Sequence, residues 1–326
     1  MTRKNLRESF SVKLARFLQK LPLKVFRFLE WPWVANCEPS NAKIFVLLAL
    51  PRSGSTLTYQ TLIHRYNFQY LSNLGNLLYQ LPLISGLVSR VKCKGHYSNF
   101  RSQRGFIPGL CGPSEGLMFW HYWAGIGLKE QEIEALGMRQ KSRILFLAKV
   151  YAKLTNNKAP LVTGYLGHSL GLERIKEAFP NAVPIRLVRN PIDNALSILN
   201  CMGSDTNWFS VIPLECTAYD TCNKLERVAA QVYWLNRKLD ISLDDSAVVV
   251  HYEALCESPN EALELVKLEC KKLGWDIGNG HLLPATFNLK STNVEQSEVI
   301  KTLHSLLCKL EEKHGRLKHN SVLNNE

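Results

Sequence analysis

No apolar run in the 326 residues approaches the roughly 20 that a membrane-spanning helix needs, and the longest tight one, Ile44 to Leu50, has the length of a buried strand. Glycine is limited to 19 residues and no tract is of low complexity, which excludes a collagen-like or disordered chain. The nine cysteines are scattered from Cys37 to Cys308 without one Cys-x-x-Cys pair. A zinc site would show paired spacing and a disulfide framework a denser, even-numbered set, so the expectation is no metal, and reduced, mostly buried thiols in a cytoplasmic protein. The opening MTRKNLRESFSVKLARFLQK lacks the continuous apolar stretch and small-residue cleavage site of a secretory leader. Acid is also in short supply: 28 Asp and Glu face 40 Lys and Arg, a formal charge of +12. That excess suits an anionic partner, whether nucleic acid, a membrane surface, or a phosphorylated or sulfated small molecule.

Residues 1–40 read as a basic amphipathic N-terminal segment. Leu6, Phe10, Leu14, Phe17, Leu18 and Leu21 recur at three- and four-residue steps, with Arg3, Lys4, Arg7, Lys13, Arg16 and Lys20 on other faces. Two readings stay open for it: a helix packed on the body of the protein, or a peripheral contact with a membrane. From residue 41 to 326 the pattern predicts a single α/β domain. Strands are expected at Ile44–Leu50, Pro160–Thr163, Val183–Val188 and Ala247–His251, alternating with helices over Leu57–Arg65, Gly171–Ala178, from Pro191 onward, and Glu261–Leu273. Such alternation implies parallel βαβ units, hence a doubly wound, mostly parallel sheet flanked by helices. The stretch from about 95 to 151 breaks the rhythm, with a Gly/Pro-rich loop, an apolar helix GLMFWHYW and a charged helix. It reads as an insertion over the sheet edge, a common place for a substrate-binding cap.

Two stretches carry the chemistry. In IFVLLALPRSGSTLTYQTLI a buried strand runs through a short loop straight into a helix, which aims backbone N–H groups and a helix N-terminus at one point. Gly54 lets an anion approach the backbone, Ser53, Ser55 and Thr56 add hydroxyls, and Arg52 adds charge. This is no Walker A loop, since no glycine stands five before Gly54 and no lysine follows it. In VPIRLVRNPIDNALS, Arg189 stands where a second strand ends, Pro191 suits the first turn of a helix, and Ser197 follows two turns on. Ligands of open α/β sheets bind beyond the carboxyl ends of strands, which places Arg189 at the same edge as Arg52.

Together the two motifs resemble those of the sulfotransferases that use 3′-phosphoadenylyl sulfate (PAPS), in a P-loop-like fold. PRSGST is similar to the family's 5′-phosphosulfate loop and RNPIDNALS to its 3′-phosphate motif, while FPNAVPIRLVRNP and VVVHYEALCESPNEAL are similar to two further family segments. The resemblance spans about Lys43 to Gly274. It implies that Arg52, Ser53, Gly54, Ser55 and Thr56 hold the 5′-phosphosulfate and that Arg189 and Ser197 hold the 3′-phosphate. It also implies transfer of the sulfuryl group from PAPS to a hydroxyl or amine, with release of adenosine 3′,5′-bisphosphate and no metal. The acceptor would be a carbohydrate, a glycolipid or a small alcohol, with no nucleic acid involved. Arg52 stands where many cytosolic members have lysine, whereas bacterial and Golgi-type members often have arginine there. An arginine there stabilises charge on the leaving phosphate but donates a proton less readily than lysine.

For the general base the candidates are Glu115, His96 and His121, with His168 outside the insertion. GLCGPSEGLMFWHYW resembles a segment of a bacterial branch in which Pro-Xaa-Glu precedes an aromatic helix, so Glu115 is expected to enter the site from that helix's first turn. A helix N-terminus lowers a carboxylate's pKa, whereas burial beside Phe119, Trp120 and Trp123 raises it. The rival readings are a P-loop kinase, which would need the missing lysine and a magnesium-binding acid, and a non-enzymatic basic protein that binds membranes or nucleic acid.

Overall fold

Five short strands carry the architecture: β1 (Ile44–Leu48), β2 (Gln69–Tyr70), β3 (Leu161–Thr163), β4 (Val183–Val188) and β5 (Val248–His251). They pair in the order β2-β3-β1-β4-β5, and every neighbouring pair is parallel. In this computed structural model the described residues are 23–322, apart from 94–97, 103–104, 134–136, 206, 244–246, 278–279, 290–296 and 320. Most of the expected basic N-terminal helix, and His96, therefore lie outside the described residues.

The strands read as near-continuous apolar runs because helices cover both faces of a parallel sheet. All five residues of β1 and all six of β4 are buried. One of those six is Arg186, whose Nη2 donates to Asn236 Oδ1 at 2.6 Å and lies 3.9 Å from Asp240. The chain leaves central β1 for β2 and returns through β3, then crosses to β4 and β5 on the other side. Connections thus reverse direction between β1 and β4, which opens a crevice beyond the carboxyl ends of those two strands. This is the doubly wound arrangement that the sequence pattern implies, and it agrees with the P-loop-like fold that the resemblance implies.

Parallel neighbours need a crossover rather than a tight turn, and the β2–β3 crossover is greatly enlarged. It holds the helices Pro82–Lys92, Leu117–Ala124 and Met138–Thr155, so the expected insertion is an overgrown connection. Trp120 and Trp123 of the aromatic helix are fully buried, and Trp123 donates its ring N–H to Tyr79 O at 2.6 Å.

Three expectations need correction. Cys93 and Cys111 are joined in a disulfide, with Cα atoms 5.2 Å apart, so the thiols are not all reduced. The crossover folds back on itself between them, a proximity that their spacing of 18 does not reveal. The other seven cysteines are free. The predicted helix 261–273 consists of two pieces, Pro259–Ala262 and Glu264–Lys272, meeting at Leu263. The helix expected from Gly171 begins earlier, at His168, and kinks at Gly171, where a Cβ would stand 2.9 Å from the Ile126 side chain. No helix among the described residues is long and apolar enough to cross a membrane.

Candidate functional site

β1 feeds Leu50-Pro51-Arg52-Ser53-Gly54, and the helix Ser55–Tyr66 starts at once. The Ser53 N–H donates to Leu50 O at 3.3 Å, Pro51 takes the second position and Arg52 the third with φ 62°, as in a type II turn. Left-handed backbone is unfavourable for an arginine, so the turn holds Arg52 in a conformation that glycine or asparagine ordinarily fills. Gly54 caps the helix at φ 96°. Thr58 N–H finds Gly54 O at 3.0 Å. The amides of Ser55, Thr56 and Leu57, in the opening turn ahead of it, have no helical carbonyl to bond, which makes this end receptive to an anion.

β4 ends at Val188 and delivers Arg189 beside that turn. Asn190 caps the helix Pro191–Met202 by accepting from the N–H groups of Ile192 and Asp193, at 2.9 and 3.2 Å. Asp193, Leu196, Ser197 and Asn200 recur at three- and four-residue steps and so share one face, which lines the crevice.

The two loops are fastened to each other. Arg189 Nη1 donates to Arg52 O at 2.6 Å and Asn194 Nδ2 to Pro51 O at 2.8 Å. From the end of β5, Glu253 Oε1 accepts the Asn190 N–H at 3.0 Å, and the Arg189 guanidinium lies 4.7 Å above the Tyr252 ring. Sequence resemblance marks the Tyr252-Glu253 pair without assigning it a task; here it locks the β1 and β4 loops together.

Arg52, Gly54, Ser55, Thr56, Arg189 and Ser197 all line one cleft of about 980 Å³, and Glu115 lines it too. Ser53 does not. It is 2% exposed and its hydroxyl donates to Leu50 O at 2.7 Å, so the side chain fastens the turn. Arg52 Nε is buried without a hydrogen-bond partner. With the free amides of the helix start and the Arg189 cation, it makes a donor set suited to a phosphorylated ligand, and the cleft has room for a nucleotide.

Glu115 does not sit in a helical turn: Gly116 caps the helix Leu117–Ala124 and Glu115 precedes it. Without the pull of a helix N-terminus, burial dominates and pushes its pKa up to about 7. A Cβ on Gly105 would come within 3.6 Å of Glu115 Oε1 and 3.7 Å of Thr56 Oγ1, which places the carboxylate across a narrow gap from the β1 loop. Asp193 also faces the cleft. Its pKa is raised, chiefly by burial, against the opposing pull of Arg189.

The histidines fall elsewhere. His168 is fully buried, 3.2 Å from Thr163 Oγ1 and 4.4 Å from the Trp120 ring centre, and burial lowers its pKa to about 3. It is a neutral core residue away from the cleft. His121 is exposed on the aromatic helix and does not line the cleft. Sequence reasoning missed Phe209, Ser210, Asn288 and Leu289, which close the cleft from connecting segments. No local pattern marks such residues, because only the tertiary fold brings them to the site.

Comparison with known proteins agrees with this architecture. Sulfotransferase STF9 from Mycobacterium avium superposes with a TM-score of 0.54 at 13% identity, over 91% of this chain and 82% of that one. A sulfotransferase from Alicyclobacillus acidocaldarius gives a TM-score of 0.38 at 12% identity, over 82% of this chain and 95% of that one. No curated protein matches in sequence. The sequence model of the sulfotransferase family matches residues 44–276, from the first residue of β1 past the Tyr252-Glu253 pair that ties the two loops. The chain belongs to the sulfotransferase family.

Proposed function

We propose that the chain transfers the sulfuryl group of PAPS to a hydroxyl or amine of a carbohydrate, glycolipid or small alcohol, releasing adenosine 3′,5′-bisphosphate. One observation carries this reading: the β1 loop and the Arg189–Ser197 pair, far apart in sequence, line the same cleft. In this assignment Arg52, Gly54, Ser55 and Thr56 surround the 5′-phosphosulfate, with Ser53 holding their turn, while Arg189 and Ser197 take the 3′-phosphate. The catalytic unit starts near residue 41.

In the transfer step the acceptor oxygen or nitrogen forms a bond to sulfur as the bond from sulfur to the bridging phosphate oxygen breaks. The acceptor proton passes to the Glu115 carboxylate, and the charge that collects on the leaving phosphate meets Arg52 and the helix amides. A carboxylate with a pKa near 7 is matched to that task, since it is ionised enough to accept and basic enough to hold the proton. No metal takes part in this scheme. The kinase alternative finds no support in the cradle, which has serine where a Walker lysine would stand.

Calorimetry tests the donor assignment. Adenosine 3′,5′-bisphosphate should bind more tightly than AMP by about 1.5–3 kcal/mol, the worth of a charge-assisted contact, and Arg189→Ala should erase the difference. Equal affinity of the wild-type chain for both nucleotides would overturn the reading.

A further inference from the structure

Away from the cleft, the chain exposes large apolar side chains where it enters the fold. Phe28 is 66%, Trp31 54% and Trp33 67% exposed. Glu30, in their midst, is buried and accepts the Ile84 N–H at 2.8 Å, which ties this segment to the start of the helix Pro82–Lys92. That helix in turn exposes Ile84, Leu87 and Val91, spaced three and four apart and hence on one face, with Val91 80% exposed. Isolated exposed hydrophobics are ordinary, but two adjoining elements that both present them mark a contact surface.

Charge identifies the occupant. Eight of the 40 basic residues fall within the first 27 positions, opposed there by Glu8 alone, so more than half of the net +12 is carried by the stretch of sequence that leads directly into the aromatic cluster. Lys92, exposed at the end of the neighbouring helix, and Lys149, whose Nζ lies 6.0 Å from the Trp31 ring centre, add to it. A protein partner would call for an apolar centre poor in charge. Tryptophan and phenylalanine that follow a segment rich in lysine and arginine match the boundary of an anionic bilayer, where rings settle at headgroup depth and cations meet lipid phosphates. We propose that Phe28, Trp31 and Trp33, with Ile84, Leu87 and Val91, form a seat for an anionic lipid membrane. The seat is independent of the transfer reaction and includes a folded element of the body, the helix Pro82–Lys92.

The test is co-sedimentation of the full chain with vesicles of phosphatidylglycerol in phosphatidylcholine, and with phosphatidylcholine alone. The expected result is retention on the anionic vesicles at least tenfold stronger than on neutral ones, weakening in 0.5 M salt. Phe28→Ser/Trp33→Ser should reduce retention at least tenfold with unchanged melting temperature. Leu87→Gln/Val91→Gln, confined to exposed side chains of the second element, should reduce it too, and serves if the first variant fails to fold. Absence of retention on anionic vesicles, or wild-type retention by a folded Leu87→Gln/Val91→Gln variant, would overturn the proposal. So would a concentration-dependent dimer that these substitutions dissolve, because the surface would then belong to a second copy of the chain.

Discussion

The ring of Tyr252 lies so close against Gly54 that a Cβ on the glycine would stand 2.2 Å from both its Cδ2 and Cε2 atoms. The same ring lies beneath the Arg189 guanidinium, so one aromatic surface sets the spacing of the two loops. Gly54→Ala combines that clash with a left-handed φ of 96°. It should cost about 1–3 kcal/mol of stability and weaken adenosine 3′,5′-bisphosphate binding at least tenfold, read by thermal denaturation and calorimetry. Tyr252→Phe keeps the ring and should bind nearly as wild type. Tyr252→Leu should lose about 0.5–2 kcal/mol of cation–π support for Arg189, weakening the bisphosphate but not AMP.

Arg52→Ala should lower turnover more than donor affinity. The charge of Arg52 matters most when the bridging oxygen becomes a phosphate anion, so its loss falls on the transition state. Steady-state kinetics should show kcat reduced by about 10²–10³ with a smaller change in the KM for PAPS. A normal kcat with only a raised KM would assign Arg52 to binding alone.

As the proposed base, Glu115 is expected to link pH to both rate and stability. Its folded pKa near 7 lies above the value of 4.5 for an exposed glutamate, so between these values the folded state keeps a proton that the unfolded state has lost. Stability from this group is therefore fully present below about pH 4.5, falls as pH rises, and is gone above about pH 7. Glu115→Gln should remove that decline, which denaturant titrations at pH 5 and 8 would show. The same substitution should lower kcat by about 10²–10⁴ and abolish the acidic limb of the pH–rate profile. Activity within a few-fold of wild type would remove Glu115 as the base.

The Cys93–Cys111 bond closes a loop with a sequence separation of 18, and its end lies four residues before Glu115. Cys93→Ser/Cys111→Ser should cost about 3 kcal/mol, the loop-entropy value for this span. Dithiothreitol should shift the wild-type melting temperature towards that of the double variant and leave the variant itself unmoved.

Four of the five strands and the two loops that meet at the cleft could be read from the sequence because their signals are local. A run such as IFVLLAL has only one comfortable environment, the middle of a covered sheet, and Pro51 with Gly54 forces the turn wherever it lies. The edge strand Gln69–Tyr70 could not be read, since two residues of mixed polarity show no period. The helix Lys224–Ser242 is absent from the expected strand–helix pairs, although Leu225, Val228, Val232, Leu235 and Leu239 recur at three- and four-residue steps behind the Asn223–Glu226 capping box. Ser53 and Glu115 show the other limit. Residue type suggested a hydroxyl for the ligand and a carboxylate in a helical turn, but where each side chain points was decided by a turn bond to Leu50 O and by the cap at Gly116.

The pairing of β1 with β4 sets Phe45 opposite Val183 and Leu48 opposite Arg186, and this alignment has a thermodynamic consequence. The donor cradle exists only while that long-range register holds, because each strand carries half of it. A slip of two residues would displace Arg189 by roughly 7 Å along the strand axis and part it from Arg52 O. Under the proposed function, nucleotide is therefore expected to act as a clamp across the centre of the sheet. It should draw the whole fold towards its native state by mass action, by about 2.7 kcal/mol at a hundred times its Kd, and amide hydrogen exchange in β1 and β4 should slow together when it binds.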